Sequence, residues 1–419
     1  MSDPASAVAA DTSTRALLRE RDFLLFWVAR FSSTLGVQIQ SVALGWQVYA
    51  IARMTKSVGE SAFMVSMIGL AQFLPLFLLT LVAGETADRR TRKLIVAATL
   101  ALDAISAGVL LVLALMGSHQ LWPIFAISVM FGASRAFLSP ASSAMGPMLV
   151  PRPLLPRAIA WNSLSWQAGS IVGPALGGLL LIHSPALAFG ASFGLYLTAA
   201  SLALLIRKTT KPEQQPGSRM ELIKEGLSYV WNNKIVFGSI SLDLFAVILG
   251  GATALLPVFA KDVLHIGPGG FGLLRASPAI GATLVGLYLA ANPIRRNAGL
   301  IMFSGVAIFG LATVVFGLSK LEWLSVAALA VLGGADMLSV YVRQTLVQIV
   351  TPDAMRGRVA AVSGVFISAS NELGEVESGA AAWLLGPVGA AVFGGVGAMA
   401  VTGLWAFLFP DLRKADQLE

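Results

Sequence analysis

Residues 371–380 read NELGEVESGA, placing Glu372, Glu375 and Glu377 between two long apolar runs. On a helix Glu372 and Glu375 are three residues apart and share a face. Glu377 is turned away from them by roughly 140–200°, at about 100° per residue. Two neighbouring carboxylates in an apolar setting cannot both ionise cheaply, so one is expected to hold a proton. Such a site can load and unload a proton, which is the chemistry of proton coupling. The alternatives are a structural ion pair with Arg275 or Arg343, or wetting by a cavity.

Other charges also fall inside apolar stretches: Asp103, Asp243 and Asp336, and Arg30, Arg135, Arg275 and Arg343. An unpaired charge at the centre of a membrane helix costs about 2.5–3.5 kcal/mol on insertion scales, so each must be paired, hydrated or used. Glu372, Glu375, Asp243 and Asp336 are the proton-coupling candidates. Asp103 and Arg135 lie at similar depth in consecutive stretches and are expected to pair. Arg30 could meet an anionic cargo or pair with an acid such as Asp243, and the pairing is favoured. Asp336 and Arg343 are two turns apart on one helix, too far for an i, i+4 pair, so each should find a partner on another helix.

The uncharged polar positions Gln38 and Gln40 in the first stretch, and Asn162 and Gln167 with Trp166 in the fifth, suit a medium-sized amphipathic molecule. Each would serve equally as an interhelical hydrogen bond. There is no cysteine, which removes disulfides and thiolate metal sites. His183 reads as a loop histidine and no metal or cofactor is implied. No H-E-x-x-H, P-loop or nucleophile elbow is present, so an enzyme is not expected.

The elements that must hold these residues are membrane helices. Mean hydropathy is +0.77, and charged residues make up 12% of the chain, against about a quarter in soluble domains. Twelve stretches are long enough to span: 23–49, 61–83, 94–116, 122–149, 158–182, 186–206, 235–260, 270–291, 299–318, 323–350, 359–384 and 387–409. The expected fold is all-α and integral to the membrane, in two pseudo-symmetric six-helix halves, 23–206 and 235–409. A segment 1–22, a linker 207–234 with an amphipathic helix, and a tail 410–419 would lie in the cytoplasm, with no cleavable signal. Lysine and arginine concentrate in the termini and even-numbered loops. The odd-numbered loops hold only Arg53, Lys56, Lys261 and Lys320. This places both termini inside and accounts for the net charge of +7 without nucleic acid.

The halves repeat weakly at an offset of about 201 residues: PRPLLPRA at 151–158 answers PDAMRGRV at 352–359. The same offset lays Gly173 on Gly374, Pro174 on Glu375 and Gly178 on Gly379. Internal repeats of this kind are built around a central site.

The loop 84–93, GETADRRTRK, fits the pattern G-x-x-x-D-R-x-x-R followed by a base. On this motif the chain resembles the major facilitator superfamily. The resemblance implies a cytoplasmic gate in which Gly84, Asp88, Arg89, Arg92 and Lys93 clamp neighbouring helices. Thr86 and Thr91 depart from the common pattern. The stretch GSIVGPALGG, 169–178, fits G-x-x-x-G-P-x-x-G-G, the exporter motif of that superfamily, at Gly169, Gly173, Pro174, Gly177 and Gly178. Small residues at this spacing also serve close helix packing. With FWVARFSSTLG, TPDAMRGRVAAVSG and WAFLFPDLRK, the chain resembles the enterobactin-exporter branch, the transmembrane secretion effectors, along essentially its whole length. The resemblance implies an inner-membrane exporter of a small siderophore- or drug-like molecule; the paired carboxylates point to proton drive, and a monomer is expected. A lipid or lysophospholipid transporter is the alternative, and a non-transporting scaffold a more distant one.

Overall fold

The computed structural model describes residues 13–210 and 219–416. Parts of the expected terminal segments and of the linker, including Pro212, Pro216 and Gly217, lie outside the described residues. Among those described there is no strand. A bilayer core offers no water to backbone polar groups, so helices that satisfy their own hydrogen bonds are the natural outcome.

The long helices are α1 (Arg21–Ala52), α2 (Val58–Arg89), α3 (Arg92–Leu115), α4 (Trp122–Met145), α5 (Leu155–His183), α6 (Pro185–Leu204), α7 (Lys234–Gly250), α8 (Pro268–Ala291), α9 (Ala298–Leu318), α10 (Glu322–Val350) and α11 (Asp353–Leu408). Their starts are written locally. Ser57 and Glu60 form a reciprocal capping box on α2. Ser184 caps α6 with Pro185 in its first turn, and Asn233 caps α7.

Ten segments are long and apolar enough to cross a membrane, fewer than the twelve stretches read from sequence. Two causes account for the difference. The last segment, Met355–Leu408, holds two of the expected stretches and turns at Gly386, where φ is 74°. This left-handed backbone suits glycine and divides α11 into a first arm, 353–385, and a second arm, 387–408. Helix α1 is long enough but lies outside the ten, because Arg30, Gln38, Gln40 and Gln47 lower its hydropathy.

Outward faces carry large apolar side chains such as Leu78, Leu284, Leu287 and Phe407, as lipid contact requires. Inside, α5 packs between α1 and α8, and the first arm of α11 packs between α7 and α2. The amphipathic helix Arg219–Asn232 lies against the start of that arm. Gly226 sits on the Arg358 backbone, Arg358 pairs with Glu225, and Tyr229 Oη donates to Val350 O at 3.0 Å. Val230 is buried, while Leu227 and Trp231 face outward. At the repeat-related position, Arg157 donates to Thr14 Oγ1 at 3.0 Å. The end of the bundle beside this helix is the linker side below, and the opposite end is the far side.

Candidate functional site

A central cavity of about 520 Å³ gathers residues from α1, α2, α4, α5, α8 and α11. Of the expected site residues it collects Arg30, Gln38, Arg135, Arg275, Glu372 and Glu375. Phe26, Phe131, Trp166 and Phe271 supply aromatic wall. Polar groups set among apolar and aromatic surface are the usual make-up of a small-molecule site.

The central contact spans the cavity. Arg135 Nη1 on α4 donates to Glu372 Oε1 on α11 and to Gln72 Oε1 on α2, each at 3.3 Å. The expected partner, Asp103, is instead buried with both carboxylate oxygens lacking a hydrogen-bond partner. Similar depth in neighbouring helices does not fix the direction in which a side chain projects, and Arg135 turns to the cavity. Arg275 and Arg343 likewise do not hold Glu372. Glu372 and Glu375 do share a face, as their spacing required. Both carboxylates point at Gly69 of α2: a Cβ placed there would stand 2.7 Å from Glu375 Oε2 and 3.3 Å from Glu372 Oε2. The missing side chain at Gly69 makes the room they occupy. Glu377 lies outside the cavity lining.

Arg30 does not pair with Asp243. Asp243 on α7 is taken by Arg343 on α10 at 2.6 Å, both groups nearly sealed from solvent. Among the described residues Arg30 has no ion pair and lines the cavity. Asp336 lies near this second charge cluster, lining a small void with Asp243. Arg343 thus finds its partner on another helix, and Asp336 makes no ion pair among the described residues.

The glycines of α5 are packing surfaces. A Cβ at Gly169 would stand 2.6 Å from Thr34 Cγ2, one at Gly173 2.5 Å from Gln38 Cβ, and one at Gly178 2.8 Å from Gly272 Cα. Gly177 meets Val42, and Pro174 O faces Gly272. Gln167 donates to Ala279 O at 3.0 Å and to Thr283 Oγ1, so it ties α5 to α8. Gln40 is buried with neither amide atom partnered, and Asn162 Oδ1 is also unpartnered.

In the loop motif, Arg92 lies 4.0 Å from Asp88. It donates through Nη1 to Ala144 O at 3.1 Å. Lys93 Nζ donates to Ile206 O at 2.8 Å. These bases hold the ends of α4 and α6. Arg89 pairs with Glu85 at 2.8 Å on the surface, and Gly84 is buried.

A contact missed in the sequence closes the far side. Tyr49 Oη donates to Asp262, and Arg53 Nη2 lies 3.2 Å from the same carboxylate. Asp262 sits in a short π-helical turn, Phe259–Val263, while Tyr49 and Arg53 belong to α1 and its cap. The available signal was the rare charge of the odd-numbered loops, Arg53 and Lys261, beside an unassigned aspartate.

Helices packed around a charged, aromatic-walled cavity define a membrane transporter of the major facilitator type. Solved transporters share the fold. A bacterial homologue of the lysosomal transporter Spinster, inward-facing, superposes with TM-score 0.72 at 14% identity, covering 94% of this chain and 98% of that one. A POT family transporter bound to 5-aminolevulinic acid superposes with TM-score 0.73 at 10% identity, covering 94% and 96%. The chain belongs to the transmembrane secretion effector family, whose model it matches over residues 12–419. The enterobactin exporter EntS of Citrobacter koseri is 28% identical over 398 residues, 94% of this chain and 93% of that protein. Its Shigella boydii counterpart is 27% identical over the same coverage.

Proposed function

We propose that this membrane exporter moves a small amphipathic organic molecule, siderophore- or drug-like, by alternating access in exchange for protons. The observation that carries the reading is the Arg135–Glu372 contact, which crosses the cavity beside Glu375. While Glu372 is ionised it neutralises Arg135. A proton on Glu372 releases the guanidinium and weakens the tie between α4 and α11. One site can thereby sense both proton and cargo.

The relatives named as enterobactin exporters support the cargo size and the outward direction. The distribution of lysine and arginine supports cytoplasmic termini in a bacterial inner membrane. In this reading a monomer suffices, and the bodies 23–206 and 235–409 rock about the cavity with the loop motif at its cytoplasmic gate. Asp243 and Asp336 are secondary proton-site candidates.

The test is uptake into inverted membrane vesicles from a cargo panel, with and without an imposed pH gradient. Glu372→Gln and Glu375→Gln should each abolish the gradient-dependent part. If both leave it intact, the coupling assignment is wrong. Flux of a lipid cargo indifferent to the gradient would favour the lipid-transporter alternative.

A further inference from the structure

The cavity holds three guanidiniums, Arg30, Arg135 and Arg275, and two carboxylates, Glu372 and Glu375. Two of these cations have a partner. Arg135 bridges Glu372, and Arg275 Nη1 donates to Thr253 O at 3.5 Å. Arg30 has no carboxylate and no side-chain hydrogen bond among the described residues, although it is half-buried. A desolvated guanidinium with open donors calls for an acceptor.

A second observation lies opposite it. Serines inside helices commonly return their hydroxyl to a carbonyl four residues back, as Ser128, Ser163 and Ser277 do here. Ser33 on α1 and Ser139, Ser142 and Ser143 on α4 make no such bond among the described residues, and all four line the cavity. The register places these groups together. A Cβ at Gly146 would stand 3.3 Å from the Phe26 ring, so Phe26 and Gly146 are level. Helices α1 and α4 run antiparallel, so one turn along each brings Arg30 level with Ser142.

We infer that Arg30 and the serine face of α4 form a subsite for an oxyanion group, carboxylate or phosphate, carried by the cargo. The inference rests on the exporter reading and sharpens it. The guanidinium supplies a charge-assisted donor pair and the hydroxyls complete the acceptor's shell. The remainder of the molecule then lies against Phe26, Phe131 and Trp166.

The test is calorimetric binding to the full chain in nanodiscs with two matched pairs of probes: 1-naphthoate against 1-naphthamide, and lysophosphatidate against monoacylglycerol. In at least one pair the acid should bind about tenfold or more tightly than its neutral partner. Arg30→Gln should remove that preference and Arg30→Lys should retain most of it. A preference in the naphthoate pair identifies a soluble organic anion as the source, and one in the lysophosphatidate pair a lipid headgroup. Equal binding of acid and neutral partner, or a preference that survives in Arg30→Gln, overturns the subsite. Should Arg30→Gln fail to fold, the double variant Ser142→Ala with Ser143→Ala must weaken the preference, and an unchanged preference overturns the inference equally. Acid-selective binding without gradient-driven uptake would sink proton-coupled export and leave the subsite standing. Gradient-driven uptake without acid preference would do the reverse.

Discussion

Helix α5 and the first arm of α11 occupy repeat-related places and are wedged in the same way, each between two neighbours. They solve the problem of close approach oppositely. Helix α5 carries the glycines itself and meets the side chains of Thr34, Gln38 and Val42 on α1. The α11 arm keeps Gly374 and Gly379 for packing, yet where α5 has Pro174 it has Glu375. The space for that carboxylate comes from Gly69, on the neighbouring helix. Gly374 still packs tightly, a Cβ there standing 2.7 Å from Val247 O. One wedge is thus a packing surface throughout. The other is a packing surface with one face turned over to charge.

If the comparison holds, damage to the two regions should separate stability from transport. The largest loss of stability is expected beside the α11 arm, at the sealed Asp243–Arg343 pair. Arg343→Leu leaves a buried carboxylate without its partner and should cost about 3–5 kcal/mol, read as a lowered unfolding temperature in detergent. Next is Gly178→Val on α5. A Cβ at Gly178 would lie 2.7 Å from Pro268 O, which cannot step aside as a side chain can. A loss of about 1–3 kcal/mol is expected.

Glu372→Gln should behave otherwise. Arg135 is 41% exposed toward the cavity, so the pair contributes little to stability, about 1 kcal/mol or less. Gradient-driven flux should fall to background while the unfolding temperature holds. A large stability loss here, with flux retained, would make the α11 arm a packing element like α5. Gly69→Ala should give an intermediate result, displacing the carboxylates and lowering flux with folding preserved. The smallest effect is expected at the far side. Asp262→Asn removes the negative charge and one of the two carboxylate oxygens that Tyr49 and Arg53 use, and should shift the population toward opening on that side. Because the chain contains no cysteine, single introduced cysteines near Arg53 would report the change by their labelling rate.

The apolar stretches, the loop motif and the glycine face of α5 were legible in the sequence because each rests on composition or spacing along one helix. The shared face of Glu372 and Glu375 was legible for the same reason. Partnerships between helices were not. Asp103 and Arg135 have matching depth, but their pairing depends on the rotation of α3 and α4 about their axes, which one sequence does not state. The same ambiguity joined Arg30 to Asp243 on paper. Asp262 escaped because the chain beyond α7 passes through short 3-10 and π-helical turns that shift the side-chain phase, and regular helical counting fails there.

Gly386 joins the two arms of α11 through a single left-handed residue. Beside it, Gly59 at the start of α2 fits against the backbone of Ala382 and Trp383. A joint this short has no slack. Any swing of the glutamate-bearing arm is delivered to the second arm as torque, with the fulcrum near Gly59. On the alternating-access reading, displacement would grow with distance from that contact and would be largest at the linker side, where Arg358 and Glu225 couple the arm to the amphipathic helix.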